Sequence, residues 1–359
     1  MWLFKSSIGR KFVMAVTGLC LVLFVTFHVL MNSVALLWPT AYNAVCEFLG
    51  ANWYALVASL GLAALFVIHI IYALWLTLQN RRARGNDRYA VTSRPAQVEW
   101  SSKNMLVLGF VVIAFLLLHL WQFWAKMQLA EIIPSQIAGV TTADFAGAPA
   151  NPAMGTMFLQ VAFNNFWAPV CYLVAFAALW FHMTHGFWSM FHTAGWDNTR
   201  WLPRLKCIAN WWTTIVVGLF AIQVLLFTYQ SHNNFFVENE ALQEQYAEAW
   251  NKQAKEQCES FQSGLMAKVA PQVAILKDKD AAPDARMEAN RKATEIQSQY
   301  ILDNGQAFLD KAKAIQAAFN AQCSKVGFGQ EMNNLDAMIE GVDAMLPKPV
   351  PAEMIHPQN

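Results

Sequence analysis

Trp180-Phe181-His182-Met183-Thr184-His185-Gly186-Phe187-Trp188 sets two imidazoles inside a long apolar run of the chain. An ionisable side chain at membrane depth is costly and marks a functional site by default. Three further apolar runs carry one deep histidine each, His28, His69 and His119. The reading of the chain turns on whether these histidines belong to one device.

The composition supports a membrane setting. Of 359 residues, 56% are hydrophobic and 15 are Trp, against the roughly 45–50% apolar content of a soluble domain. Charge is divided unevenly along the chain. Residues 1–231 hold 13 Lys+Arg against 6 Asp+Glu, net +7, and residues 232–359 hold 12 against 18, net −6. An apolar, basic-flanked portion is thus followed by a polar, mildly acidic tail. The cysteines Cys20, Cys46, Cys171, Cys207, Cys258 and Cys323 form no CxxC and no zinc-like spacing, which argues against a thiolate metal site. No nucleic-acid partner is expected.

Five runs reach the ~20 residues needed to cross the hydrocarbon core: Phe12 to Leu37, Trp53 to Leu78, Met105 to Ala125, Phe166 to Met190 and Trp211 to Tyr229. The fold expected is an all-α, polytopic five-helix bundle. The first run is too long for the ~7–15-residue apolar core of a cleavable signal peptide and lacks a clear cleavage site. Lys5, Arg10, Lys11, Arg81, Arg82, Arg84, Arg88, Arg94, Lys103, Arg200, Arg204 and Lys206 all fall on one side of these spans, against Lys126 on the other. Positive charge collects inside, so the N-terminus is expected in the cytoplasm and the C-terminal extension outside. The tryptophans near span ends, among them Trp53, Trp124, Trp167, Trp201 and Trp211, suit an interfacial belt.

The segment from Lys126 to Asn165, with Pro134, Gly139, Gly147, Pro149 and Pro152, reads as an irregular cap. Residues 232–330 read as a helical extension of two stretches, Val237 to Ala270 and Ala285 to Val326, divided by a segment holding Pro271 and Pro283. Phe308, Ala312, Ile315, Phe319 and Cys323 recur at three and four residues, the apolar face of an amphipathic helix. A helical hairpin outside the membrane follows. Cys258 and Cys323 could form a disulfide there, although a hinge near Lys277 does not bring them level. Residues 331–359, with Pro347, Pro349, Pro351 and Pro357, are expected to be irregular. No catalytic motif appears in the tail.

Depth sorts the histidines. His28 and His119 lie about 16 and 14 residues from the inner ends of their spans, whereas His69 and His182 lie about 9 and 8 residues from theirs. Two imidazoles at equal depth on different helices can hold a flat macrocycle through its iron, as bundle cores commonly do. A lone membrane histidine is more often structural or proton-carrying. Two depth-matched pairs favour two stacked bis-histidine haems.

The segments His28-Val-Leu-Met-Asn, His69-Ile-Ile-Tyr, His119-Leu-Trp and His182-Met-Thr-His-Gly-Phe-Trp resemble the haem-ligand segments of the di-haem, five-helix cytochrome b subunit of succinate:quinone oxidoreductases. That family comprises succinate dehydrogenases and fumarate reductases, here its menaquinone-linked bacterial branch. The resemblance covers about Phe4 to Tyr229, and the long tail departs from it. It implies two haem b, one held by His69 with His182 and one by His28 with His119. It implies an anchor in the bacterial inner membrane with a flavoprotein and an iron–sulfur subunit on the cytoplasmic face. FAD and iron–sulfur clusters would belong to those partners, since this chain has neither a flavin-binding glycine pattern nor a cysteine cluster. A menaquinone or menaquinol site would complete the path, with Glu47, which resembles a family glutamate near the distal haem, as catalytic proton acceptor. A solvated loop carboxylate is the alternative for Glu47.

Asn32 and Ser33 could bond a quinone oxygen or solvate the helix end. Arg10, Lys11 or His192 could meet haem propionates. Periodicity does not choose between His182 and His185, three residues apart. The family pattern, a histidine four residues before Gly-Phe-Trp, selects His182 and leaves His185 as a neighbouring contact. Two other readings stay open: a di-haem cytochrome b of another quinone-linked dehydrogenase, and a haem-free transporter or scaffold that moves protons through the histidines.

Overall fold

The structure, a computed structural model, describes residues 6–50, 52–84, 99–132, 143–196 and 198–347. Lys5, Arg88, Arg94, Pro134, Gly139 and the tail beyond Pro347 lie outside the described residues. The chain divides into two compact units, one formed by 1–145 with 152–238 and the other by 146–151 with 239–359. The boundary after Glu238 falls close to the change in composition near residue 232.

The first unit is all-α. Its elements are α1 (Ser7–Leu37), α2 (Pro39–Gly50), α3 (Trp53–Arg84), α4 (Trp100–His119), α5 (Gln128–Ile132), α6 (Gly155–Phe163), α7 (Trp167–Thr193), α8 (Trp201–His232) and α9 (Phe235–Glu238). A π-helical turn, Leu120–Trp124, continues α4. The unit also holds the two-residue strand β1 (Asp144–Phe145), while β2 (Ala148–Pro149) belongs to the second unit. Five helices are long and apolar enough to cross a membrane: α1, α3, α4 with its π turn, α7 and α8.

Several boundaries differ from the sequence expectation. Helix α1 starts at Ser7 because Ser6 caps it, its side chain accepting from the Gly9 N–H at 2.9 Å. Helix α8 starts at Trp201, ten residues before the expected Trp211, and so includes Arg204 and Lys206. Hydropathy reports the length that hydrocarbon can cover; a helix ends only where its backbone loses partners.

The central helix is α7. It packs against α8, α4 and α1, while α1 in turn packs against α3. Ala175, Phe176, Ala178 and Met183 form its buried face, with Val216, Val217, Phe220 and Val224 of α8 buried as well. Outward faces stay apolar: Leu19, Leu23, Phe27 and Leu30 on α1, and Val57, Leu60, Val67 and Ile71 on α3, are exposed. A surface of that chemistry is matched to lipid.

The segment expected to be an irregular cap contains a buried helix instead. Helix α6 is buried on nearly every side, its polar Thr156 and Gln160 included, and its nine residues are too few to read as a span. Asn43 of α2 anchors its start, where Asn43 Oδ1 accepts from the Thr156 N–H at 2.9 Å and from the Thr156 hydroxyl at 3.0 Å. Gln160 donates to the Ser231 carbonyl at 2.8 Å and ties α6 to α8. A Cβ on Gly155 would lie 2.5 Å from Cys46 Sγ and 2.7 Å from the Tyr42 ring, so α2 and α6 approach only through a glycine.

The second unit is a three-helix bundle: α10 (Glu240–Lys277), α11 (Pro283–Gln322) and α12 (Gln330–Met345). The expected stripe is its core, with Phe308, Ala312, Phe319 and Cys323 buried and Ile315 half-buried. Opposite lie Leu242, Tyr246 and Phe261 of α10 and Met332, Leu335 and Ile339 of α12. The buried Trp250 indole donates to Gln322 Oε1 at 2.9 Å.

Two expectations for this unit are corrected. Pro271 lies inside α10 rather than ending it; Ala267, whose carbonyl loses its helical partner, is exposed, where water can serve it. Residues from Gln330 to Met345 are helical, not irregular, because Met332, Leu335, Ile339 and Val342 recur at helical spacing and close the core. Cys258 and Cys323 are both free thiols. Cys258 sits midway along α10 and Cys323 at the far end of α11, and burial pushes the Cys323 thiol up to about 12.

Gly155→Ala is predicted to cost about 1–3 kcal/mol by overpacking, read as a lower thermal midpoint in detergent. Cys46→Ala in the same chain should recover part of the loss, because the two sites share one contact.

Candidate cofactor site

The four single deep histidines meet in two pairs. His28 of α1 and His119 of α4 have ring centroids 5.8 Å apart with planes at 84°. His69 of α3 and His182 of α7 have centroids 6.5 Å apart with planes at 63°. Neither pair of helices packs closely backbone to backbone; the side chains alone span the gap. Two imidazoles sharing one metal, each nitrogen ~2 Å from it and each ring centre ~1 Å further, have centroids ~6 Å apart. Both observed separations fall at that value.

The pairs lie at different levels. Thr17 of α1 touches His69 and His28 lies eleven residues further along the same helix. Tyr172 of α7 touches His119 and His182 lies ten residues further. Both intervals correspond to roughly 15 Å at 1.5 Å per residue.

The surroundings suit a flat apolar group held by nitrogen. Glycine faces one imidazole on each helix flanking the His69–His182 pair: a Cβ on Gly18 of α1 would lie 3.6 Å from His69 Cε1, and one on Gly109 of α4 would lie 3.7 Å from His182 Cε1. Among the described residues His182 Nδ1 is buried without a hydrogen-bond partner. Around the other pair, Phe24 and Phe115 stack on His28 and His119, with Phe123 and Phe220 adjoining. Against these features stands one contact: Asn32 Nδ2 lies 3.3 Å from His28 Nε2. That amide is on a flexible side chain and must turn aside before Nε2 can bind a metal. Among the described residues no cluster of three or more His, Cys, Asp or Glu is arranged to hold a metal ion. A haem needs only two axial ligands, since its macrocycle supplies the rest.

The other candidates are distributed as follows. His185 does not join His182; its Nδ1 lies 3.5 Å from Glu99 Oε2, and Glu99 Oε1 accepts from Lys206 Nζ at 2.6 Å. Lys206 Nζ also lies over the Trp188 ring, 4.4 Å from its centroid. The opening stretch therefore sends one imidazole toward α3 and the other to an ionic cluster at the ends of α4 and α8. Sequence reasoning missed Glu99, whose only signal was its place as a lone acid before a span. Burial raises the Glu99 carboxyl, but hydrogen bonds from Lys206 and His185 outweigh it and hold the group below the usual 4.5.

Glu47 stands on α2, half-buried, in the wall of an open recess of about 530 Å³ shared with Phe48, Asn52, Trp53 and Tyr54. Ser33 donates to the Val29 carbonyl and accepts from Gln223, each at 2.8 Å, which accounts for its hydroxyl. The Arg10 guanidinium lies over the Trp75 ring, 5.4 Å from its centroid. Exposed His192 sits near Trp188.

Glu99 has its pKa depressed on folding, so its contribution to stability is present above about pH 4.5 and is lost as pH falls through its lower folded value. The Glu99 side chain is 36% exposed, which limits the pair to ~1 kcal/mol or less. Glu99→Gln is predicted to lower the thermal midpoint slightly at pH 7, and the gap from the parent protein should close on acidification below pH 4.5. No family model, curated protein or solved structure matches this chain.

Proposed function

We propose that this chain is a di-haem cytochrome b, the membrane anchor and quinone-reactive subunit of a bacterial succinate dehydrogenase or fumarate reductase. The observation that carries the proposal is the meeting of four span histidines in two pairs ~6 Å apart at two levels. His69 with His182 would hold one haem b and His28 with His119 the other. Bound there, the two haems would supply one-electron carriers stacked across the membrane, with potentials set by axial ligand, burial and neighbouring hydrogen bonds.

The protein's own part is to bind, orient and exclude water. Helix α7 contributes to both levels, through His182 and through Tyr172 beside His119. Glu47 would accept a proton from menaquinol at its carboxylate, beside the aromatic wall of Phe48, Trp53 and Tyr54. By the positive-inside count the N-terminus would lie in the cytoplasm, and on the proposed reading the membrane would be a bacterial inner membrane with the α10–α12 unit in the periplasm. Flavoprotein and iron–sulfur partners would dock on the cytoplasmic face and carry FAD, the clusters and the dicarboxylate chemistry.

A reduced-minus-oxidised spectrum of the purified complex should show b-type haem at two per chain, together with quinol:fumarate activity in the same sample. Absence of a haem band would end the proposal; a molybdenum or nickel partner in place of a flavoprotein would reassign it to another dehydrogenase. His69→Ala and His182→Ala should each remove one and the same haem, and His28→Ala and His119→Ala the other, whereas His185→Ala should keep both. Glu47→Gln is predicted to lower quinol turnover with both haems retained.

A further inference from the structure

Each histidine pair is asymmetric, and one hydroxyl accounts for the asymmetry in each. Thr17 of α1 lies 3.0 Å from His69 Nδ1. Its hydroxyl proton is already directed at the carbonyls of Val13, at 2.9 Å, and Met14, at 3.1 Å. A hydroxyl has one proton to give and two lone pairs to receive with. Thr17 Oγ1 therefore accepts from His69 Nδ1–H. Tyr172 of α7 repeats the logic by different chemistry: its hydroxyl donates to Gln122 Oε1 at 2.9 Å and lies 3.1 Å from His119 Nδ1. With its proton committed to Gln122, Tyr172 accepts from His119 Nδ1–H.

The consequence concerns the other ring nitrogen. A neutral imidazole that donates through Nδ1 presents a bare lone pair at Nε2. His69 and His119 are thus each held in one tautomer and one orientation before any ligand arrives. Their partners are not held in this way. Among the described residues His182 Nδ1 is buried with no hydrogen-bond partner, and the hydrogen-bond contact of His28 is the Asn32 amide, 3.3 Å from its Nε2. Each pair joins one imidazole fixed by a neighbouring helix to one left adaptable.

Resting on the di-haem reading above, we infer that Thr17 and Tyr172 are positioning residues that fix the tautomer of His69 and His119 and separately tune the two haem potentials, with Gln122 acting through Tyr172. An acceptor on the far nitrogen makes an imidazole a stronger donor to the metal, which favours the oxidised iron and lowers its potential. Removing the acceptor raises the potential of that haem alone. The ~15 Å between levels keeps the effects apart, because neither hydroxyl touches the other pair.

The test is a spectroscopic redox titration of the intact complex carrying Thr17→Val, Thr17→Ser, Tyr172→Phe or Gln122→Leu. Thr17→Val should raise the midpoint of the haem that His69→Ala removes, by a shift of up to about tenfold in the redox equilibrium, ~59 mV for one electron. Thr17→Ser should restore the parent value. Tyr172→Phe should raise only the midpoint of the haem that His119→Ala removes, and Gln122→Leu should move that same haem and not the other. Selective loss of the haem served by the altered residue also supports the assignment. Unchanged midpoints, or equal shifts of both haems in any single variant, would overturn it and leave the di-haem reading standing. A parent protein without haem would instead sink the di-haem reading, and this inference with it.

Discussion

A neutral imidazole in hydrocarbon has one donor and one acceptor to satisfy, and water is not there to do it. Most of the first unit can be understood as an answer to that constraint. Thr17 sits where its spare lone pair meets His69, and Tyr172 where its own meets His119. Each hydroxyl also disposes of its proton within the protein, on a helix carbonyl in one case and on Gln122 in the other. Among the described residues His182 Nδ1 stays buried without a hydrogen-bond partner, and in each pair the two rings meet about 6 Å apart, a separation suited to an iron atom.

The packing follows from the same demand. Helix α7 contacts α1, α4 and α8 and carries a polar group to both levels, Tyr172 at one and His182 at the other. Helix α3 is held chiefly by α1, and it buries little apart from Tyr72. Such loose packing would be expensive for a soluble bundle. In a membrane the lipid covers the outer faces, and the proposed haem would fill the space beside the His69–His182 contact of α3 and α7. Gly18 and Gly109 lie opposite His69 and His182, where a Cβ would make ordinary contact with each imidazole.

Legibility in the sequence was uneven for reasons that can be named. The five spans were evident because hydrocarbon imposes a length and a composition on anything that crosses it. The pairing of His69 with His182 and of His28 with His119 followed from counting residues, since a helix converts sequence position into depth at a fixed rise. Helix α6 was missed because its nine residues are too few for a span and the flanking Pro149 and Pro152 read as loop. Helix α12 was missed because the prolines that follow it dominated the reading of the tail. Pro271 was read as a break when it occupies an exposed position on a continuing helix.

The sequence by itself determined the number of spans, the apolar and polar halves, and the relative level of the four paired histidines. Only the tertiary structure decided which way each ring nitrogen faces. His182 and His185 share nearly one side of α7 and differ little in depth, yet one meets His69 and the other meets Glu99. That outcome depends on what neighbouring helices present at the same level. Thr17 and His69 are 52 residues apart, and Tyr172 and His119 are 53. No local pattern encodes a hydrogen bond across such a gap, because the donor and its acceptor become neighbours only once the helices have packed.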